Sequence, residues 1–389
     1  MHQKQKDKRI YLDYQATTPT DSHVLKAMLP YYEKIYGNPH SHHHAIGWDA
    51  NKATEDARRN VAELINADAH EIIFTSGATE ANNMAIIGIA NKSNSKRKLI
   101  LVSEIEHKCV LNASYSLVNN NYTIKTIPTD HNGIIDMNAL SSLLNENVLL
   151  VSVMLANNEI GSIQPIKTIT EMAHSVGAIM HTDAAQGPTT AKIDVEELGI
   201  DLLSLSAHKM YGPKEIGALY VKNGIEKKLQ PIIWGGGQEK GLRSGTLATP
   251  LCVGFGEASR IMSKKRELIF KKTRKFRDLF YKKCQELNIK MQLIGPSIRH
   301  RHAANLSILF EEYDAEDVIS IMQPNLAVST GSACSSITHE TSHVLDAIRL
   351  SSNQKNRVIR FSFGKELSVI EVKSSIEHLR NALQIAGKY

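Results

Sequence analysis

Lys209 closes a strand-like run, Leu202-Leu203-Ser204-Leu205, within Ser206-Ala207-His208-Lys209, and Asp183 follows a second apolar run, Ala178-Ile179-Met180. A lysine amine condenses with aldehydes, and a carboxylate beside a pyridine nitrogen keeps that nitrogen protonated. Set at the ends of neighbouring strands, the two groups are what the ring of pyridoxal phosphate (PLP) needs to draw electrons from a substrate carbon. Gln186, three residues beyond Asp183, is placed to hydrogen-bond the ring's phenolic oxygen. Either Lys209 or Asp183 alone would serve equally in an ordinary ion pair at the mouth of a sheet. Together they point to the cofactor.

A phosphate needs a cradle, and Thr75-Ser76-Gly77-Ala78-Thr79-Glu80 supplies one between a strand ending at Phe74 and a helix beginning near Ala81. Hydroxyls and free backbone N–H groups at a helix start attract an anion, although a plain helix cap would use the same residues. His107 follows the run Leu99 to Val102 and so belongs at the same sheet edge, where an imidazole can stack on a ring and move protons. Cys334 lies among small residues, Val328-Ser329-Thr330-Gly331-Ser332-Ala333-Cys334-Ser335-Ser336, which are poor core filler and suit a mobile loop for an exposed, nucleophilic thiol. Arg360, after Val358-Ile359, has a guanidinium able to grip a carboxylate with two hydrogen bonds. The cluster His40-Ser41-His42-His43-His44 reads as a polar loop rather than a metal site, since adjacent histidines converge poorly on one ion.

The elements that must carry these groups follow from hydrophobic patterning. Short apolar runs at Glu71 to Phe74, Leu99 to Val102, Tyr122 to Ile124, Val148 to Leu155, Ala178 to Met180, Leu202 to Leu205 and Gly217 to Val221 alternate with helix-length segments. Seven such runs predict an α/β domain around a mainly parallel sheet, with ligands at the carboxyl ends of the strands. Beyond about residue 250 a basic amphipathic helix over Lys264 to Lys283 precedes short strands at Ala304 to Leu309 and Val358 to Ser362, the texture of a smaller α+β domain. The expected division is an N-terminal segment over 1–15 packed with the small domain, a large domain over 16–250 and a small domain over 251–389.

Composition narrows the classes of function. With 42% hydrophobic and 22% charged residues among 389, the chain is ordinary for a globular protein. The formal charge of +6 is spread along the sequence, which gives no stripe for nucleic acid. No GxGxxG opens a first strand–helix unit and no GxxxxGK[ST] is present, so nucleotide binding has little support. Four cysteines without CxxC or metal spacing fit a reducing compartment, and no apolar run is long enough to span a bilayer; a cytoplasmic protein is expected.

These motifs, in this order, resemble the cysteine desulfurases of the IscS/NifS type, PLP enzymes of the aspartate-aminotransferase fold (fold type I). The similarity runs from Tyr11-Leu12-Asp13-Tyr14-Gln15-Ala16-Thr17-Thr18-Pro19 through Gly37-Asn38-Pro39, Thr75 to Asn83, Glu106-His107-Lys108, Asn157-Asn158-Glu159-Ile160-Gly161, Asp183 to Gln186 and Ser206 to Pro213. It continues through Gly235-Gly236-Gly237-Gln238-Glu239 and Arg243-Ser244-Gly245-Thr246-Leu247 to Ser329 to Cys334 and Arg360-Phe361-Ser362-Phe363-Gly364, nearly the whole chain.

The resemblance implies that Lys209 carries PLP, that Asp183 pairs with the pyridine nitrogen, and that Gln186 and Asn158 contact the ring or its oxygen. It implies Ala78, Thr79, Ser206 and His208 around the phosphate, with Thr246 reaching across from a second subunit of a homodimer. Cys334 is then the sulfur acceptor, Arg360 and Asn158 the substrate-carboxylate clamp, and His107 the stacking acid or base. L-cysteine would give L-alanine and a Cys334 persulfide, passed on for iron–sulfur cluster assembly or tRNA thiolation. No metal, nucleic acid or membrane partner is implied. Glu215 stands where the family more often has glycine, and only 25 residues follow Gly364, so the tail that docks an iron–sulfur scaffold is expected to be shortened. An aminotransferase or β-lyase using the same lysine without a cysteine, and a non-catalytic sulfur-trafficking protein of the same fold, are the alternatives.

Overall fold

The computed structural model describes residues 9–331 and 342–387. Twelve strands are found among them: β1 (Ile10–Tyr11), β2 (Ile72–Thr75), β3 (Leu99–Ser103), β4 (Thr123–Ile127), β5 (Val148–Ser152), β6 (Ile179–Asp183), β7 (Leu202–Ser206), β8 (Gly217–Val221), β9 (Met291–Leu293), β10 (Asn305–Phe310), β11 (Leu326–Ala327) and β12 (Val358–Ser362). Seven of them form one sheet in the order β2-β8-β7-β6-β5-β3-β4. β3, β4, β5, β6 and β7 run parallel, while β8 is antiparallel to both its neighbours. β2 therefore points the same way as β7, and its carboxyl end opens on the same edge.

The central strands are buried along their whole length, as strands covered on both faces must be. Alternation sorts their side chains: Leu101 and Val151 join the core on one face, and Ile100, Val102 and Leu150 the core on the other. The Ala78–Lys92 helix covers the second face with Ala81, Met84, Ala85 and Ile89. At the sheet's edge, β4 leaves most of its residues partly or wholly exposed.

The basic region predicted as a helix over Lys264 to Lys283 belongs to a 37-residue helix, Thr249–Gln285, started by Pro250 in its first turn. Its apolar stripe carries Phe280, whose ring packs on Phe361 at 4.8 Å and Phe363 at 5.5 Å. Burying an aromatic ring of this kind contributes about 2–3 kcal/mol. This helix and the Val369–Ala386 helix support the antiparallel sheet β12-β10-β9. β9 and the pair β1-β11 carry no pattern long enough to be seen in the sequence. β1 lies parallel to β11, and Asp13 bridges to Ser362, so the N-terminal segment is threaded beside β12. Among the described residues no helix is long and apolar enough to cross a membrane.

Candidate active site

The carboxyl ends of the parallel strands open into a cavity of about 480 Å³. Its lining takes Glu106 and His107 from beyond β3, Met154, Asn158 and Glu159 from beyond β5, Asp183 and Gln186 from β6 and its loop, and Ser206, His208 and Lys209 from β7 and its loop. Ser76, Gly77, Ala78 and Thr79 close one wall after β2, and Arg360 closes another from β12. A single sheet edge thus gathers side chains from five loops.

Asp183 is held on both carboxylate oxygens: Oδ1 accepts the Ala185 N–H at 2.9 Å and Oδ2 accepts Asn82 Nδ2 at 2.7 Å. Lys209 Nζ donates to the carbonyls of Gln15 and Ala16, at 2.7 and 2.8 Å. Gln186 also donates to the Gln15 carbonyl, at 3.0 Å. The cradle is a tight turn in which Gly77 (φ +155°) caps the Ala78–Lys92 helix. Gly217 packs so closely that a Cβ there would lie 2.7 Å from Gly77 Cα, whereas a Cβ on Gly77 would meet nothing within 4 Å. The cradle is braced from behind and open in front, and the first-turn N–H groups of Ala78 and Thr79 have no intrahelical acceptor. Glu80 accepts the Ser76 N–H at 2.8 Å and pairs with Arg243.

His107 caps the Lys108–Tyr115 helix, its Nδ1 accepting the Cys109 N–H at 3.2 Å. Burial lowers its basicity below the usual histidine value, against the raising effect of the Asp183 charge. The neutral ring, accepting at Nδ1, carries its proton on Nε2. Burial and the Lys209 and Lys214 cations push His208 down to about 4, and its Nδ1 lies 3.0 Å from Thr17 Oγ1. Fully buried Glu106 accepts the Met154 N–H through Oε1, while Oε2 has no partner among the described residues. Burial, and then the nearby Asp183 charge, hold its carboxyl well above the usual carboxylate range.

Ala78, Thr79, His107, Asn158, Asp183, Gln186, Ser206, His208, Lys209 and Arg360 all line this one cavity. Thr246 does not; it is exposed. Cys334 lies outside the described residues, but the residues bracketing its segment are at the cavity. Arg360 donates to the Gly331 carbonyl, and His343 and Val344 are part of the lining. Sequence reasoning assigned no role to Asn82, Glu106, Glu159, Ser342 or His343. Glu159 accepts a hydrogen bond from Ser342 Oγ at 2.5 Å, and His343 Nε2 lies 2.8 Å from the Glu106 carbonyl. Asn82, Glu106 and Glu159 fall inside motifs of the resemblance, the only signal in the sequence that could have marked them.

Two residues that stood out in the sequence find simple explanations. His44 caps the Ala45–Leu64 helix through Nδ1, 3.0 Å from the Gly47 N–H, and no metal-binding group of His, Cys, Asp or Glu occurs among the described residues. Glu215 adopts φ +62°, a left-handed conformation that costs an L-residue about 1–2 kcal/mol, which is why glycine suits the position better.

A lysine amine, a doubly held carboxylate and an N–H cradle converging on one cavity fit a phosphorylated pyridine aldehyde. The class-V aminotransferase family matches residues 10–374. A cysteine desulfurase IscS of Ehrlichia chaffeensis is 43% identical over 376 residues, 96% of this chain and 91% of the relative. Among solved structures, a NifS-like protein superposes with a TM-score of 0.90 at 32% identity, covering 97% of this chain and 100% of that one. SspA in complex with cysteine gives 0.80 at 34% identity, covering 91% and 99%. The chain belongs to the class-V aminotransferase family and, within it, to the PLP-dependent cysteine desulfurases.

Proposed function

We propose that the cavity moves the sulfur of L-cysteine onto Cys334 and releases L-alanine. The observation that carries the reading is that one cavity is lined by Lys209, Asp183 and Arg360 and is bordered by the residues flanking the Cys334 segment. Lys209 is the group that holds the cofactor. The phosphate belongs in the cradle of Ala78, Thr79, Ser206 and His208, with Thr246 of a second subunit completing it. Asp183 would pair with the pyridine nitrogen, His107 would stack on the ring, and Gln186 and Asn158 would contact the ring or its oxygen. When bound, PLP supplies an electron sink for the bonds at the substrate's α-carbon.

The protein's own groups do the rest. Arg360 and Asn158 fix the substrate carboxylate, and the Lys209 amine, when neutral, takes the α-proton. The Cys334 thiolate attacks the substrate's sulfur. The carbon–sulfur bond breaks, a sulfur–sulfur bond forms on Cys334, and the carbon skeleton regains the protons released, so that L-cysteine and a thiol become L-alanine and a persulfide. No external oxidant is needed.

Thr246 is exposed and absent from its own cavity, which supports a homodimer in which it serves the neighbouring site. Tyr32, Tyr36, Trp48 and Trp234 are exposed aromatic side chains of the kind that interfaces bury. The persulfide is destined for a sulfur acceptor in the cytoplasm, an iron–sulfur scaffold or a tRNA-thiolation relay. The test is L-alanine formation from L-cysteine by the PLP-loaded enzyme, with and without a thiol reductant, for wild type and Cys334→Ala. Wild type should form alanine and the variant none, with equal cofactor absorbance. Equal alanine from both would remove Cys334 from the reaction and favour a lyase.

A further inference from the structure

Arg360 is 1% exposed, and most of its hydrogen-bonding capacity is already engaged by the protein. Nη1 donates to the carbonyls of Gly331 and, at 3.1 Å, Asn158. Nη2 donates to Asp13 Oδ1 at 2.7 Å, and Nε has no acceptor among the described residues. Asp13 is itself fixed: its backbone bridges to Ser362, two residues along the strand from Arg360 and so on the same face, and Ala16 N–H donates to its carbonyl at 3.0 Å. Arg360 lines the cavity. Asp13 pairs with the guanidinium and is not among the residues that line the cavity.

A buried guanidinium without a counter-ion is strongly disfavoured, and one already neutralised attracts a further carboxylate less than a bare one does. We propose that Asp13 is a positioning residue that acts through Arg360: a resident carboxylate that orients the guanidinium and limits how tightly an amino-acid carboxylate binds it, so that L-alanine leaves after sulfur transfer. The inference rests on the reading of Arg360 as the substrate-carboxylate clamp. Substrate and product carry the same carboxylate, so unrestrained affinity at this corner would retain the product as firmly as it captures the substrate. The Asp13 charge sets that balance from outside the cavity.

Asp13→Asn keeps an acceptor for Nη2 and removes only the charge. In the PLP-loaded enzyme, titrated by absorbance, its Kd for L-alanine should fall about tenfold. Ethylamine, which lacks the carboxylate, should bind the variant and wild type alike, a split that a merely structural defect would not produce. Asp13→Ser, which deletes the charge in a smaller side chain, should tighten L-alanine in the same direction if the asparagine variant folds poorly. An unchanged or raised Kd for L-alanine in the folded variants overturns the proposal. Arg360→Gln is measured beside them. It should weaken L-alanine to the level of ethylamine, and if it does not, the clamp reading itself fails, independently of the result at Asp13.

Discussion

The floor of the cavity is assembled from strand ends only a few residues from the groups they carry, whereas its Arg360 corner joins chain positions as far apart as Asp13 and Arg360, 347 residues in sequence. On the floor, Asp183 is the last residue of β6, and Lys209 lies three residues past the end of β7. Each position is fixed by a strand that would form in any protein with this pattern. At the corner, β12, the N-terminal segment, the loop after β5 and the ends of the Cys334 segment meet, and none of their contacts is implied by a local pattern. The floor is therefore rigid and chemically committed. The corner is where carboxylate recognition and the Cys334 segment share groups, because Arg360 touches Gly331 and Glu159 touches Ser342.

The largest expected effect lies on the floor. Lys209→Ala should lower the rate of alanine formation by at least about 10³-fold, since a positioned proton-transfer group is worth roughly 10²–10⁴-fold and the covalent anchor is lost as well. Stability should change little, because the Lys209 amine donates to the backbone carbonyls of Gln15 and Ala16, and those carbonyls can take water instead. Rate assays and denaturant unfolding of the same preparation check both halves. A fall in stability that matches the fall in rate would mean that the floor depends on this lysine for its shape.

That contrast also explains what could be read in advance. The seven strands, the cradle, Asp183, Gln186 and Lys209 follow from short continuous apolar runs ending in polar residues. Residue numbers alone place them on one edge once the sheet is taken as parallel. β8 breaks that simplicity without harm, since it reverses direction between β2 and β7 and so restores the cradle to the same edge. Glu159 and Asp13 were visible only as letters within motifs. Their partners, Ser342 and Arg360, lie 183 and 347 residues away, a separation at which pattern carries no contact information. Asn82 was hidden for a different reason: it lies on the buried side of the cradle helix, and its bond to Asp183 appears only when that helix is laid across the sheet.

At the corner the expected effect is intermediate and mixed. Glu159 is 3% exposed and receives the hydroxyl of half-buried Ser342, so Glu159→Ala should cost about 1 kcal/mol through the lost hydrogen bond. The rate of alanine formation should fall several-fold while L-alanine binding, judged by absorbance, stays near wild type. The comparison would break if binding fell with the rate, because the corner would then be shaping the floor.

The smallest effect concerns protons buried around the site, where the two directions can be separated by sign. Burial pushes His181 down to about 3 and His302, like His208, down to about 4, so the folded chain refuses protons that the unfolded chain accepts below its ordinary histidine value of 6.5. These groups stabilise the fold fully above pH 6.5, and that stability is lost as pH falls from 6.5 toward 4. Glu106 acts the opposite way: its folded carboxyl keeps a proton that the unfolded chain gives up above about 4.5, so its contribution is present at low pH and is lost as pH rises. Between 4.5 and 6.5 these three histidines, joined by His107, oppose one carboxyl, and stability should rise with pH. Above 6.5 the histidines are silent, and Glu106 should lower stability with rising pH for as long as its folded carboxyl holds its proton. Denaturant midpoints at pH 5.5, 6.5 and 8 for wild type and Glu106→Gln separate the two: the glutamine keeps an oxygen for the Met154 N–H but holds no titrating proton, so the decline above pH 6.5 should vanish while the decline below it remains. An identical alkaline decline in both proteins would place the titrating carboxyl elsewhere and leave Glu106 ionised in the fold.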